Sequence, residues 1–154
     1  MMSDREVAPP QLNPGRYTRP FWEACANSIL LAAHCRDCGH LFLPAGPVCP
    51  RCWSSALDTR RMSGDGTVAT FTVYRQAYHR GLQLPLVVAL IELVEGPRLV
   101  SNVVQCPPEH VRIGMRVRVR FDRQGNYTLP RFVPATGPAR QSARPPNDGD
   151  FSHD

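Results

Sequence analysis

Residues 35–52 read CRDCGHLFLPAGPVCPRC, two Cys-x-x-Cys pairs, Cys35/Cys38 and Cys49/Cys52, separated by ten residues. Each pair places two sulfurs on one tight turn, and two such turns close a tetrahedral shell. That is the sequence form of a four-thiolate zinc site. With no corner left for water, the metal is expected to be structural, one zinc per chain. A rubredoxin-type iron uses the same four ligands, and spacing alone leaves it open. Disulfides need an oxidising compartment, and the polar start, MMSDRE, carries no apolar run behind it. Two pairs at this distance favour metal over Cys-x-x-Cys redox chemistry. Cys25 and Cys106 read as spare packed thiols. His34 and His40 flank the first knuckle, but four thiolates leave them no vacant corner.

Upstream, residues 20–33 show apolar positions at Phe21, Trp22, Ala26, Ile29, Leu30 and Ala33, near a 3.6 period. This predicts a helix with Pro20 in its first turn and Thr18 as cap. Asn27-Ser28 offers a break, after which Ile29-Leu30-Leu31 would begin a strand. Residues 34–62 form a ribbon too small to fold on burial alone, so metal must supply much of its stability.

Downstream, Gly64-Asp65-Gly66 is a turn signal, and the period changes to two. Ala69, Phe71 and Val73 are expected on one face of the first strand. Leu84 to Leu93 reads as a buried strand and Arg98 to Gln105 as a third. A helical turn follows at Pro107 to Ile113. Val117, Val119 and Phe121 alternate with Arg116, Arg118 and Arg120 in the fourth strand, and Tyr127 to Val133 is the fifth. Five strands with a short helix between the third and fourth is the order of an OB-fold. The predicted class is mainly β: an N-terminal helix, a rubredoxin-like zinc ribbon and a five-stranded OB-fold barrel over 63–135. Residues 1–19 are expected to be extended and 136–154 to be a disordered tail.

The chain has 154 residues and a formal net charge of +5, and all 18 basic residues are arginine. Lysine Schiff-base chemistry is therefore excluded. A four-thiolate zinc brings the net charge nearer neutral, a balance that permits an anionic partner without demanding one. No apolar run reaches spanning length, so a soluble cytoplasmic protein is expected, with no membrane partner.

Several motifs in order resemble one family. They are Phe21-Trp22-Glu23, the four cysteines, Gly64-x-Gly66, Tyr74, Pro85 to Leu93, Glu95-Gly-Pro-Arg98, Arg112-Ile-Gly-Met115 and Leu129-Pro-x-Phe132. The chain is similar, over about residues 18–135, to the zinc-ribbon/OB-fold, acyl-CoA-associated proteins first catalogued as a domain of unknown function. The resemblance implies an accessory subunit of a thiolase-like or lipid-transfer-protein-like enzyme. Such partners catalyse thiolysis, retro-aldol cleavage or acyl transfer, and some family members work beside hydratases. It also implies that Cys35, Cys38, Cys49 and Cys52 hold the zinc. One departure is Trp53, where family members often carry glycine after the fourth cysteine.

Two readings of function follow. The first is a non-catalytic subunit in a heterotetramer with a thiolase-like dimer. Phe21 and Trp22 would anchor the partner, and Tyr74, Arg75, Tyr78, His79 and Arg80 would shape a ligand or partner surface. Arg75 and Arg80 are candidates for the phosphates of a coenzyme A thioester. The alternative is a single-stranded nucleic-acid binder, since OB-folds often take oligonucleotides. That use needs stacking aromatics on the second and third barrel strands, and neither strand contains one. No Ser-His-Asp arrangement marks an autonomous enzyme, and His79 and His110 read as loop residues.

Overall fold

The structure is a computed structural model that describes residues 8–136. The expected disorder of the tail therefore concerns residues that, from 137 onward, lie outside the described part. Residues 8–15 carry no regular structure. Their place is marked by Tyr127, whose hydroxyl donates to the Pro10 carbonyl.

Helix α1 spans Arg19–Ala26, with Pro20 in its first turn. Thr18 precedes it without capping: its hydroxyl donates back to the Gly15 carbonyl. The helix ends seven residues short of the end that the 20–33 periodicity predicts. Ser28 adopts φ 58, and the N–H groups of Asn27 and Ser28 close on Ala24 and Cys25. The Asn27 side chain caps the Glu23 carbonyl at 3.0 Å. The Asn27-Ser28 break thus wins over the helical period. Leu30 continues toward a strand and is 2 % exposed, within the barrel core.

Strand β1 (Leu31–Cys35) pairs antiparallel with β2 (Leu41–Phe42) and β3 (Leu57–Arg61), in the order β2-β1-β3. Its alternation serves two cores. Ala32, with Leu30 just before the strand, belongs to the barrel cluster, whereas Ala33 and Cys35 belong to a small ribbon cluster with Phe42 and Cys49.

The barrel contains β4 (Asp65–Tyr74), β5 (Leu86–Leu93), β6 (Arg98–Val103), β7 (Arg116–Gln124) and β8 (Tyr127–Pro134). They close in the order β4-β5-β6-β8-β7, with β7 returning to β4. A 3-10 turn, Pro108–His110, stands between β6 and β7. Val111 beyond it is fully buried with Val68, Ile91, Val117 and Phe132. This is the OB-fold order. One face assignment in β4 needs correction. The β4–β5 register shifts between Val68 and Thr70. Ala69 is the extra residue of a bulge, so Val68 enters the core ahead of Phe71 and Val73. Arg118 is likewise not a solvated residue of an arginine stripe. Its Nε lies 2.7 Å from Oδ1 of Asp65, which is 3 % exposed.

The Gly64-x-Gly66 motif has a packing cause at both positions. Gly64 sits at φ 84, and a Cβ there would run into the Val119 side chain. At Gly66 a Cβ would lie 2.5 Å from the Glu92 carbonyl oxygen and 3.0 Å from Ile91 Cγ2. The obstacle is backbone of the paired strand, which cannot swing aside. Gly66→Ala is expected to cost about 2 kcal/mol. A lowered urea midpoint at unchanged slope would register it.

Candidate metal centre and adjoining groove

The two knuckles are near-copies in backbone geometry. Cys35 N–H donates to the His40 carbonyl, and Cys49 N–H donates to that of Ser54. Gly39 N–H closes on the Cys35 carbonyl at 2.8 Å, and Trp53 N–H on that of Cys49 at 2.9 Å. Each turn thereby aims two sulfurs at the same point. All four Sγ atoms lie within 4.8 Å of one another. Cys35 and Cys52 are 3.5 Å apart, and Cys38 and Cys49 are 3.7 Å apart. A zinc–sulfur bond of about 2.3 Å implies tetrahedral edges near 3.8 Å, so the cage has the size of the ion. The Arg51 N–H points at Cys49 Sγ from 3.4 Å, the kind of backbone donor that supports a thiolate ligand.

The thiols also need a cation for electrostatic reasons. Burial opposes ionisation of Cys35, yet the N–H groups of Cys38 and Asp37 and the neighbouring thiols outweigh it and lower that thiol to about 7. At Cys52 the Ser54 N–H favours the thiolate, but the other three cysteines and desolvation push the thiol up to about 12. Four thiolates this close ionise together only around a dication. Neither flanking histidine joins them. His34 Nδ1 is 2.7 Å from Asp58 Oδ1, and His40 stacks on Phe42 at 5.7 Å. Burial alone pushes the separate Cys25 thiol up to about 12, so it remains an inert thiol.

Trp53 occupies the position that Gly39 fills in the first knuckle, at φ 64 against φ 70. A side chain in this left-handed region costs about 1 kcal/mol, and the ring recovers little, being 77 % exposed. Trp53→Gly is expected to keep full metal content and to gain about 0.5–1 kcal/mol in stability, net of glycine's unfolded-state entropy. A thermal melt with a parallel zinc assay checks both halves of this expectation.

Beside the ribbon lies an apolar groove of about 600 Å³. Phe21 and Trp22 of α1 form one wall, their rings edge-on at 5.1 Å. Leu43 from the ribbon, Leu90, Val100 and Pro130 complete the lining with their neighbours. Its polar groups are engaged. Arg98 holds Glu92 at 2.5 Å. Ser101 Oγ donates to the Pro130 carbonyl at 2.6 Å, and the Asn102 amide donates to that of Val87 at 3.1 Å. Among the described residues, no carboxylate, histidine or cysteine lines it.

The predicted surface residues thus fall into two places. Phe21 and Trp22 line the groove, whereas none of Tyr74, Arg75, Tyr78, His79 and Arg80 does. Those five lie around the β4–β5 connection. There Tyr74 and Tyr78 meet edge-on at 6.1 Å, and Arg75 reaches Glu109 at 3.8 Å. The Gly81 N–H donates to His79 Nδ1. The arginine stripe on β7 is also largely spoken for: Arg118 pairs with Asp65, and Arg120 with Asp122 at 2.6 Å. No helix among the described residues is long and apolar enough to cross a membrane.

Residues 22–58 match the family described as ChsH2, rubredoxin-like zinc ribbon domain, and residues 59–122 match ChsH2, C-terminal OB-fold domain. The chain is 37 % identical over 98 residues to a DUF35 domain-containing scaffold protein of Methanocaldococcus jannaschii, covering 61 % of this chain and 68 % of that one. It is 40 % identical over 117 residues to a probable enoyl-CoA hydratase alpha subunit of Thermomonospora curvata. That match takes in 75 % of this chain but only 37 % of the longer relative. Among solved structures, the Ltp2-ChsH2(DUF35) aldolase superposes with a TM-score of 0.76 at 36 % identity, over 82 % of this chain and all of the matched chain. With both halves matched in order and the four cysteines gathered as a zinc ribbon requires, the chain belongs to the ChsH2/DUF35 family.

Proposed function

We propose that this chain is a non-catalytic, zinc-bearing subunit of a cytoplasmic enzyme complex whose partner is thiolase-like and acts on acyl-CoA or acyl-ketone substrates. The observation that carries this reading is the groove: an exposed apolar surface, walled by Phe21 and Trp22, with no acid, base or thiol among the described residues that line it. Such a surface holds something and does no chemistry on it. The relatives' names point the same way, since they include scaffold proteins, a hydratase subunit and a chain solved with an aldolase.

In this reading one zinc per chain fixes the ribbon. It thereby fixes the Leu43-Pro44-Ala45 segment between the two knuckles, which supplies part of the groove wall. The partner supplies the reacting groups for thiolysis, retro-aldol cleavage or acyl transfer. If coenzyme A reaches this chain, its phosphates meet Arg75 and Arg80 at the β4–β5 connection. An Arg75→Ala/Arg80→Ala double variant should then bind coenzyme A about tenfold more weakly, and unchanged affinity removes that role.

Co-expression with a thiolase-like protein encoded beside this chain tests the assembly. Size-exclusion chromatography with light scattering should give one peak of two copies of each. Two separate peaks, with full activity in the partner alone, overturn the subunit reading. The nucleic-acid reading has less to stand on. Val88, Leu90 and Val100 occupy the outer face where an oligonucleotide binder stacks bases on aromatic rings.

A further inference from the structure

The barrel is closed on one side by very little. Strands β6 and β8 run parallel and share a single residue pair, Val103↔Phe132. Beside it, the Val104 N–H donates to the Phe132 carbonyl at 2.8 Å. Toward Arg98 no further residues of the two strands pair. Pro130 has no N–H to give, and its carbonyl is taken by Ser101 Oγ.

The orientation of the β6 backbone follows from the ladder on its other side. The Leu93 N–H bonds the Pro97 carbonyl. Antiparallel pairs alternate between bonded and non-bonded. The bonded pairs two residues on are therefore Ile91↔Leu99, Ala89↔Ser101 and Val87↔Val103. Val100 lies between them, so its N–H and C=O point away from β5, along the same edge that Val104 uses. Among the described residues, no strand pairs with that edge before Val103. Val100 is 70 % exposed, and Arg98 through Asn102, with Leu129 and Pro130, line the apolar groove. An open sheet edge thus runs beside an apolar surface.

We propose that an extended segment of the partner enzyme adds as a strand to this edge of β6, its alternate side chains seated against Trp22, Leu90 and Val100. The proposal rests on the subunit reading and names how the partner is held. Backbone pairing would give affinity and the groove specificity, the mode of β-strand addition. A docked helix has no backbone groups to spare for the Val100 N–H and C=O. A coenzyme A thioester would bring phosphates to a groove whose one lining cation among the described residues, Arg98, already holds Glu92.

The test uses the full chain and its complex with the co-expressed thiolase-like subunit. Amide exchange at Val100 should slow at least about tenfold on complex formation. Val100→Pro removes the edge donor at a site where proline is tolerated because the N–H faces outward. It should weaken the complex about tenfold, while Val100→Thr, which keeps the N–H, binds like the parent. Zinc content and melting temperature confirm that the variants fold; if Val100→Pro does not, exchange on the parent chain decides. A complex that forms with unchanged Val100 exchange overturns the edge proposal and leaves the subunit reading standing. No complex at all overturns both. Equal Val100 protection by octanoyl-CoA alone, or by self-dimerisation of the isolated chain, overturns the proposal by giving the edge to another occupant.

Discussion

A Cys49→Ser chain is expected to lose its zinc and its ribbon together. The ribbon has almost no core of its own: Ala33, Cys35, Phe42 and Cys49 are its buried cluster, and two of these four belong to the four-cysteine cage. Structural zinc supplies about 10–16 kcal/mol in comparable small domains. Serine offers a harder, poorly ionised oxygen in place of a buried thiolate, so much of that free energy is forfeited. The ribbon has little else to hold it. The effect should reach the barrel, because Ala32 of β1 and Leu30 just before it belong to the barrel cluster. The expected result is sub-stoichiometric metal, rapid proteolysis between residues 35 and 57, and a folding stability lowered by several kcal/mol. A strong chelator should reproduce all three in the parent chain. Full zinc in the variant, or a red iron-containing parent, defeats the assignment.

The cysteines were legible because ligand chemistry constrains spacing locally. Four thiolates must come from two tight turns, and a turn is a few residues long. The barrel strands were legible because burial on one face imposes alternation on each strand separately. What failed was decided between distant segments. Ile29 and Leu30 sit in helical phase with Phe21 and Ala26, but the chain turns at Asn27-Ser28, and Leu30, just before β1, is buried in the barrel core. Arg118 reads as solvent-facing on its own strand, yet its partner Asp65 is 53 positions away. The groove is the extreme case. Its walls come from α1, the ribbon, β5, β6 and β8, and periodicity reports which face of a strand is apolar without saying which faces meet. Val100 was the available signal, an apolar residue on the outward phase of β6. Gly64-Asp65-Gly66 read as a turn, whereas Asp65 and Gly66 already pair within β4, and the reason for both glycines, the proximity of Val119 and of the Glu92 carbonyl, needed the folded chain.

Phe21 and Trp22 are adjacent and both aromatic, yet they should separate cleanly on substitution. Phe21 packs against the barrel core cluster, and Trp22 does not belong to it. Both line the groove. Phe21→Ala removes contacts that exist in the chain alone and should cost about 2–3 kcal/mol of folding stability, less than a fully buried phenylalanine would. Trp22→Ala keeps the barrel core intact, losing within the chain mainly the edge-on contact with Phe21, and removes surface that the proposed assembly assigns to the partner. Its melting temperature should stay close to the parent's, whereas affinity for the thiolase-like subunit should fall about 30-fold or more, some 2 kcal/mol, as for a buried aromatic anchor. Isothermal titration on both variants, beside their denaturation curves, separates the roles. If both residues merely cover the end of the barrel, both substitutions destabilise the chain and neither weakens the complex beyond the loss of folded protein. A Trp22→Ala chain that binds as tightly as the parent would remove the groove from the interface.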